Sequence, residues 1–384
     1  MYATAARLAP EDLKAIALKL YIDLLKAGYT SLAEFHYLHR QKGARDDTGV
    51  AAASLIVEAA NEAGIALTLL PVLYAAGGFG NAPLSPQQAL FSHNPPSFIS
   101  LLKALTERVN HQKAARLGVA FHSLRAVPLD ALGEVLERLD FLPASTPKHI
   151  HISEQRREVE EAKAALGAPP VEVLMERVAV DEAWTLVHAT HASEAELDEI
   201  AKRRAIVALC PTTEANLGDG VFPFEAYLGR GGRFAVGSDS NVSLDPAEEL
   251  RLLEYTARLA TRRRLIAATA EESHTGTALW TAAARDGAAA CGRRAGVLEV
   301  GAEADLVVLD DTAPQFAGRK PADILDTFLF GGVGAAVRDV MVAGRWVVRD
   351  RRHALDEEAA RAYREILRRL YGRDKSTINP ERGE

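Results

Sequence analysis

The sequence predicts an α/β chain: a (β/α)8 barrel of the TIM type, followed by a small β domain. Two observations predict it. Short apolar strands alternate with helical segments from Tyr29 to Gly237, the signature of βαβ units and a parallel sheet. Beyond residue 295 the texture turns to hairpin-like alternation, in GVLEVGAEADLVVLD (296–310) and VRDVMVAGRWVV (337–348). A third observation bounds the barrel: only seven parallel strands can be counted before residue 240, one fewer than a closed barrel needs.

Pro10 suits the first position of a helix, and Glu11 and Asp12 favour its positive end. Leu13, Ile16, Leu20 and Leu24 repeat at helical spacing until Gly28 ends the run. A strand over Tyr29–Phe35 follows, closing in the charged and aromatic stretch His36–Arg40. A helix over 49–63 leads to a strand over Ala66–Tyr74, and the Gly/Pro-rich stretch Gly77–Pro96 is expected to be a long loop. A helix over 98–110 precedes a strand over Gly118–His122, and a helix over 129–139 precedes a strand over Lys148–His151. The charged helix over 155–166 is broken by Gly167, Pro169 and Pro170, after which a further helix is expected. Strands over 185–188, 205–210 and 234–237 come next, separated by helices at 194–202 and near 224–228. Helices over 246–259 and 275–290 close the barrel part. The division expected is 1–295 barrel, 296–353 small β domain and 354–384 helix and tail, with 368–384 frayed.

The balance of 45 basic and 52 acidic residues in 384 gives a net charge of −7. That is no basic footprint for nucleic acid and no attraction to anionic membranes. No apolar run approaches the ~18 residues that span a bilayer. Cys210 and Cys291 lie far apart in sequence and outside any CxxC, so two reduced thiols in a cytoplasmic protein are expected.

The reactive residues fall at the carboxyl ends of the strands, which is the catalytic face of such a barrel. Tyr74 ends one strand, and His122 with Arg125 follows the next. His149, His151 and Glu154 end the one after, then come His188 with His191, and Asp239 follows the last. If the strand stops at His151, its imidazole can bind a metal while Glu154 carries protons in the same cavity. The competing view is a strand-end His and a first-turn Glu without a metal. His149 could be a second ligand only if both rings face the lumen. Asp239, in Val-Gly-Ser-Asp-Ser-Asn, can bind a metal and accept a proton, or else form an Asx turn or a cap. His188 is placed as a hydrogen-bond donor to substrate, and His191 as a brace for the following helix. The Arg125 fork beside His122 and Tyr74 points to a small anionic substrate with carboxyl groups, unless Arg125 is salt-bridged to a barrel carboxylate. Lys148 alternates away from the His149/His151 face, so a lysine-bridged two-metal centre is not supported and one metal is expected. Gly77–Gly80 lacks a phosphate-loop Lys-Ser/Thr, Arg262–Arg264 reads as a solvated helix face, and Gly218–Gly220 reads as a turn or lid.

His-Ile-Ser-Glu (151–154), Val-His-Ala-Thr-His (187–191), Cys-Pro-Thr-Thr-Glu-Ala-Asn-Leu-Gly-Asp-Gly (210–220) and Val-Gly-Ser-Asp-Ser (236–240) resemble the amidohydrolase superfamily of metal-dependent hydrolases. Ala-Glu-Phe-His-Tyr (33–37), Leu-Pro-Val-Leu-Tyr (70–74) and Phe-His-Ser-Leu-Arg-Ala-Val (121–127) resemble, more narrowly, its formimidoylglutamate deiminase family. The resemblance implies one zinc per chain, with His151 and Asp239 as ligands and Asp239 also taking a proton from the hydrolytic water. It implies that Glu154 passes protons to the leaving nitrogen and that His188 stabilises the tetrahedral centre. Tyr74, His122 and Arg125 would hold the substrate, the last two by its carboxylates. The implied reaction is hydrolysis of N-formimidoyl-L-glutamate to N-formyl-L-glutamate and ammonia in histidine degradation, in an enzyme compatible with a homodimer.

The chain departs from the family in one respect. The family carries two further zinc ligands in a His-x-His motif ending the first barrel strand, and this sequence has no such motif ahead of its first helix. The first barrel strand is therefore expected to be missing, as are the N-terminal strands of a composite β-sandwich whose other half is 296–353. Either the chain is a shortened form of an ordinary enzyme or it is a degenerate relative. Two rival readings stand beside it: another deaminase or chlorohydrolase of the superfamily acting on a purine or triazine, and a non-catalytic barrel binding an acidic ligand. With two expected ligands missing, this chain should release ammonia from formimidoylglutamate negligibly even at saturating zinc. A turnover of about 1 per second or more, the ordinary enzyme range, would overturn that expectation.

Overall fold

The computed structural model describes residues 2–5, 7–40, 49–109, 112, 114–332 and 336–372. The strands are β1 (Ser31–His36), β2 (Ala66–Leu73), β3 (Ala115–Leu117), β4 (Val119–Phe121), β5 (Lys148–Ile152), β6 (Trp184–His188), β7 (Ile206–Leu209) and β8 (Arg233–Val236). They form one parallel sheet in the order β1-β2-β4-β5-β6-β7-β8, with β3 pairing on β2. The break between β3 and β4 falls at Gly118, where a Cβ would come within 2.5 Å of the Leu70 side chain and 3.0 Å of the Pro147 carbonyl oxygen. Every parallel strand expected from the sequence is present. Among the described residues β1 and β8 do not pair, so the barrel is open between them. A cleft of about 590 Å³ fills that gap and runs to the carboxyl rim.

The helices are α1 (Tyr2–Ala5), α2 (Pro10–Ala27), α3 (Val50–Ala63), α4 (Pro95–Val109), α5 (Leu129–Glu137), α6 (Arg156–Leu166), α7 (Pro170–Arg177), α8 (Glu194–Lys202), α9 (Pro211–Leu217), α10 (Phe224–Leu228), α11 (Pro246–Thr261), α12 (Thr275–Ala290), α13 (Ile324–Asp326) and α14 (Asp356–Tyr371). Their ends follow from local chemistry. At α2 the Ala9 N–H donates to Asp12 Oδ2 at 2.7 Å, and Gly28 closes the helix at φ +110°. Ser193 and Glu196 cap α8 reciprocally.

Four expectations need correction. The stretch 77–96 is not loop throughout: Gln88–Phe91 is a 3-10 turn, and α4 begins at Pro95 because the Asn94 side chain accepts from the Ser97 N–H at 2.9 Å. Position 110, expected to end that helix, lies outside the described residues. Of 296–310 only β9 (Leu306–Leu309) is a strand, pairing in a four-stranded antiparallel sheet with β10 (Val337–Val342), β11 (Arg345–Arg349) and β12 (Arg352–His353). Arg262–Arg264 is an exposed turn rather than a helix face, since Arg262 at φ +57° ends α11. The expected frayed tail starts too early, because α14 runs on to Tyr371. The rest of that tail, 373–384, lies outside the described residues.

The small sheet shares the barrel's apolar core, through Val337, Val340, Val342 and Val348 packed with residues of α2 and α3. Buried Arg293 ties the two parts by donating to the Leu67 carbonyl at 3.1 Å while pairing with Glu303. Phe121 and Trp184 stack at 5.8 Å across β4 to β6. None of the described helices is long and apolar enough to cross a membrane.

Glu34 on β1 lines the open cleft, and burial pushes its carboxyl up to about 7 from an ordinary 4.5. A carboxyl raised on folding contributes stability that is complete below the ordinary value and lost as pH rises through about 7. Ionising it in a fully dry site would cost about 3 kcal/mol. In a water-reachable cleft about 1 kcal/mol is expected. Glu34→Gln should therefore raise the unfolding midpoint near pH 8 and leave it unchanged near pH 4. An equal effect at both values would rule out the charge as the cause.

Candidate active site

The parallel register aligns the chemistry on one rim. His151 and Val187 are register partners, as are Ile152 and His188, so β5 and β6 end level. His151 is held by a single carbonyl: the His122 oxygen accepts both the His151 backbone N–H at 3.1 Å and its Nδ1–H at 2.9 Å. That fixes the tautomer and leaves Nε2 with its lone pair free to act as a ligand. Phe35 packs on the same ring at 4.5 Å.

His188 leaves β6 in a left-handed conformation, φ +70°, followed by Ala189 at +49°. Ser153 at +50° and Asp239 at +40° share this geometry, which costs non-glycine residues energy and clusters at functional sites. His188 Nδ1 lies 3.1 Å from Glu214 Oε1, and its Nε2 lies 3.7 Å from Glu154 Oε1. Burial alone would lower the His188 pKa. The Glu214 hydrogen bond and the carboxylates of Glu154, Glu214 and Asp239 outweigh burial and raise it. Glu154 is pushed up to about 7 by burial, with Asp219, Asp239 and Glu158 adding repulsion and His188 opposing. Glu154 thus sits where it can both gain and lose a proton near neutrality.

The ligand atoms of His151, His188 and exposed Asp239 all lie within 4.8 Å of one another. Two imidazoles and a carboxylate suit a borderline cation such as zinc. His188, Cys210 and Glu214 form a second such group. There Glu214 is already engaged, accepting from His188 and from the Cys210 N–H at 2.9 Å. Burial pushes the Cys210 thiol well above its ordinary value, so this group is a hydrogen-bond cluster.

The other side of the rim is aromatic and neutral. The Tyr74 ring stacks on His122 at 4.8 Å, and the Tyr74 hydroxyl accepts from Gln88 Nε2 at 2.9 Å. Burial, then His151 and Arg125, holds His122 well below the ordinary histidine range. Arg125 is exposed and has no salt bridge among the described residues, so the barrel-carboxylate alternative is not what forms. His149 does not join the ligands: its Nε2–H donates to the Ala290 carbonyl at 2.8 Å, deeper in the barrel. His191 braces the 218–220 turn rather than helix α8, donating to the Asp219 carbonyl at 2.8 Å. Asp219 is itself buried there, accepting from Gln155 at 3.0 Å.

Sequence reasoning missed Tyr37 and Glu214. Tyr37 follows β1 directly, two residues beyond Phe35 and on the side that Phe35 faces, and its hydroxyl lies 2.8 Å from His122 Nδ1. Period two from Ala33 was the available signal. Glu214 is in the first turn after Pro211, where a carboxylate beside freed N–H groups is a recognisable pattern.

A parallel barrel sheet whose carboxyl rim gathers two imidazoles, a carboxylate and a Glu titrating near neutrality defines a hydrolase of the metal-assisted kind. The sequence pattern of the amidohydrolase family matches residues 3–347, and the chain belongs to that family. It is 48% identical over 375 residues to the formimidoylglutamate deiminase of Pseudomonas aeruginosa, covering 96% of this chain and 81% of that one. A solved amidohydrolase structure from Brucella melitensis superposes with a TM-score of 0.90 at 42% identity, covering 96% of this chain and 81% of that one. An adenosine deaminase from Xanthomonas campestris with bound zinc superposes at 0.78 and 21% identity, covering 96% and 78%, which shows the shared fold. The alignments run over nearly all of this chain and over about four-fifths of the length of each relative.

Removing the Glu214 charge should lower the His188 pKa. Glu214→Gln, followed by nitrogen-15 NMR of the metal-free protein, reads this directly. An unmoved His188 titration would exclude Glu214 as its source.

Proposed function

We propose that the site of this chain is built to hydrolyse N-formimidoyl-L-glutamate to N-formyl-L-glutamate and ammonia, with zinc as its metal, in the cytoplasmic breakdown of histidine, and that the absence of the His-x-His ligands holds its turnover down. The observation that carries this reading is the division of one rim. A cluster of metal-type donors and acids lies on one side, and a neutral Tyr74/His122 surface with an unpaired Arg125 lies on the other. The identity with the Pseudomonas deiminase supports it.

His151 and Asp239 would hold the metal, with His188 beside them as a proton-bearing neighbour rather than a ligand. When bound, the metal supplies the charge that lets water attack at neutral pH. Asp239 would accept a proton from the hydrolytic water. Water oxygen adds to the formimidoyl carbon, the C–N bond breaks, and Glu154 delivers a proton to the departing nitrogen, so that ammonia leaves. His188, biased towards its charged form, would stabilise the negative charge that builds up at the tetrahedral centre. His122 and Arg125 would take the two carboxylates of the substrate, with Tyr74 as the wall behind them. A purine or triazine would leave the Arg125 fork without an anion to pair with.

Calorimetry at saturating zinc tests this without depending on turnover. N-formylglutamate should bind and guanine should not, and Arg125→Ala should weaken the former about tenfold or more, the worth of a charge-assisted hydrogen bond. Binding of guanine with no response to the dicarboxylate would sink the proposal.

A further inference from the structure

We infer that Tyr37 is a positioning residue that sets the tautomer of His122, so that the ring presents Nε2–H, a neutral donor, to a substrate carboxylate. The inference rests on reading His122 as a carboxylate contact.

Two things act on the His122 ring. Tyr74 lies against its face at 4.8 Å with the planes 29° apart. Stacking fixes the plane of an imidazole but does not distinguish its two nitrogens. The Tyr37 hydroxyl, 2.8 Å from Nδ1, does distinguish them. A phenol keeps its proton at neutral pH, and burial followed by the Asp239 carboxylate raises the pKa of Tyr37 further. If Nδ1–H donated to the phenol oxygen, the phenol hydrogen would need another acceptor. No other hydrogen bond of the Tyr37 hydroxyl is found among the described residues. If the phenol donates to Nδ1, its hydrogen is used and the remaining ring proton sits on Nε2. That proton can then be met by an incoming carboxylate.

Tyr37 is itself fixed. It follows β1 on the face that carries Ala33 and Phe35, stacks with Phe35 at 6.4 Å, and meets the edge of Phe91 at 6.1 Å. A rigid phenol costs little further ordering when it aligns its neighbour. The consequence is a division of labour: His122 supplies direction without charge, and Arg125 supplies the charge.

Two measurements test this. Nitrogen-15 NMR of the metal-free protein, with the His122 signals assigned by their loss in His122→Gln, should show Nδ1 unprotonated and Nε2 protonated. In Tyr37→Phe the two forms should mix, and N-formylglutamate affinity should fall about tenfold, since one hydrogen bond to a charged group is at stake. A protonated Nδ1 in the wild type, or an unchanged tautomer in Tyr37→Phe, overturns the inference. Should Tyr37→Phe fail to fold, His122→Gln and His122→Asn decide. A Gln amide can place N–H near the Nε2 position and an Asn amide near Nδ1, so the Gln variant should keep affinity within about threefold while the Asn variant loses about tenfold. The reverse order overturns it. If no variant binds the dicarboxylate, the substrate reading fails while the tautomer result still stands or falls by NMR.

Discussion

The site depends on one constraint, the parallel register of β4, β5 and β6. Phe121 pairs with Ile150 and Ile152 with His188, so the three strands end in step. Only then can the His122 carbonyl reach both donors of His151. A slip of one residue would turn every side chain to the opposite face. Beyond the strand ends the chain turns sharply through left-handed residues, Ser153, His188, Ala189 and Asp239. Each costs on the order of 1–3 kcal/mol. The ladders hold them: the Ala189 N–H donates to the Ile152 carbonyl at 3.0 Å, and the His191 N–H to the Ser153 carbonyl at 3.0 Å. At Asp239 the Ser240 N–H donates to Thr213 Oγ1 at 3.2 Å.

On this frame, two histidines of the same rim are shifted in opposite directions. His122 has His151 and Arg125 around it and is held neutral, while His188 has three carboxylates around it and is drawn towards its charged form. The rings of His151 and His188 lie 5.6 Å apart, so the change of character occurs within one site. Acids concentrate where a cation belongs and donors where an anion belongs. A substrate that ends in carboxylates and reacts at an amidine matches that polarity.

Most of the fold was legible because strands and helices differ in period, and seven runs of four to eight apolar residues between helices leave few topologies open. His151, Glu154, His188 and Asp239 were legible because parallel strands must end on one face. Contacts that join distant loops were not. Cys210 looked isolated in sequence, yet Glu214 bridges it to His188. His191 looked like a helix brace, but Ser193 already caps α8, which leaves the ring free to reach Asp219. His149 and His151 share a face, and only the depth along β5 separates a backbone-bonded ring from one at the rim. Depth is a property of the assembled barrel, and alternation in the sequence does not encode it.

The rim also draws its precision from a strand that carries no reacting group. Phe35 props His151 and Tyr37 bonds His122, both from β1. On the opposite face of that strand His36 packs with His39 and His39 with His93, and burial holds all three neutral. Yet β1 pairs only with β2 among the described strands, and its other edge faces the cleft. A strand held on one side opens more readily than its doubly paired neighbours. The aromatic pairs on its two faces therefore do more than fill space. They set how firmly His151 and His122 stand, and the alignment of the rim is only as firm as the hold of β2 on β1.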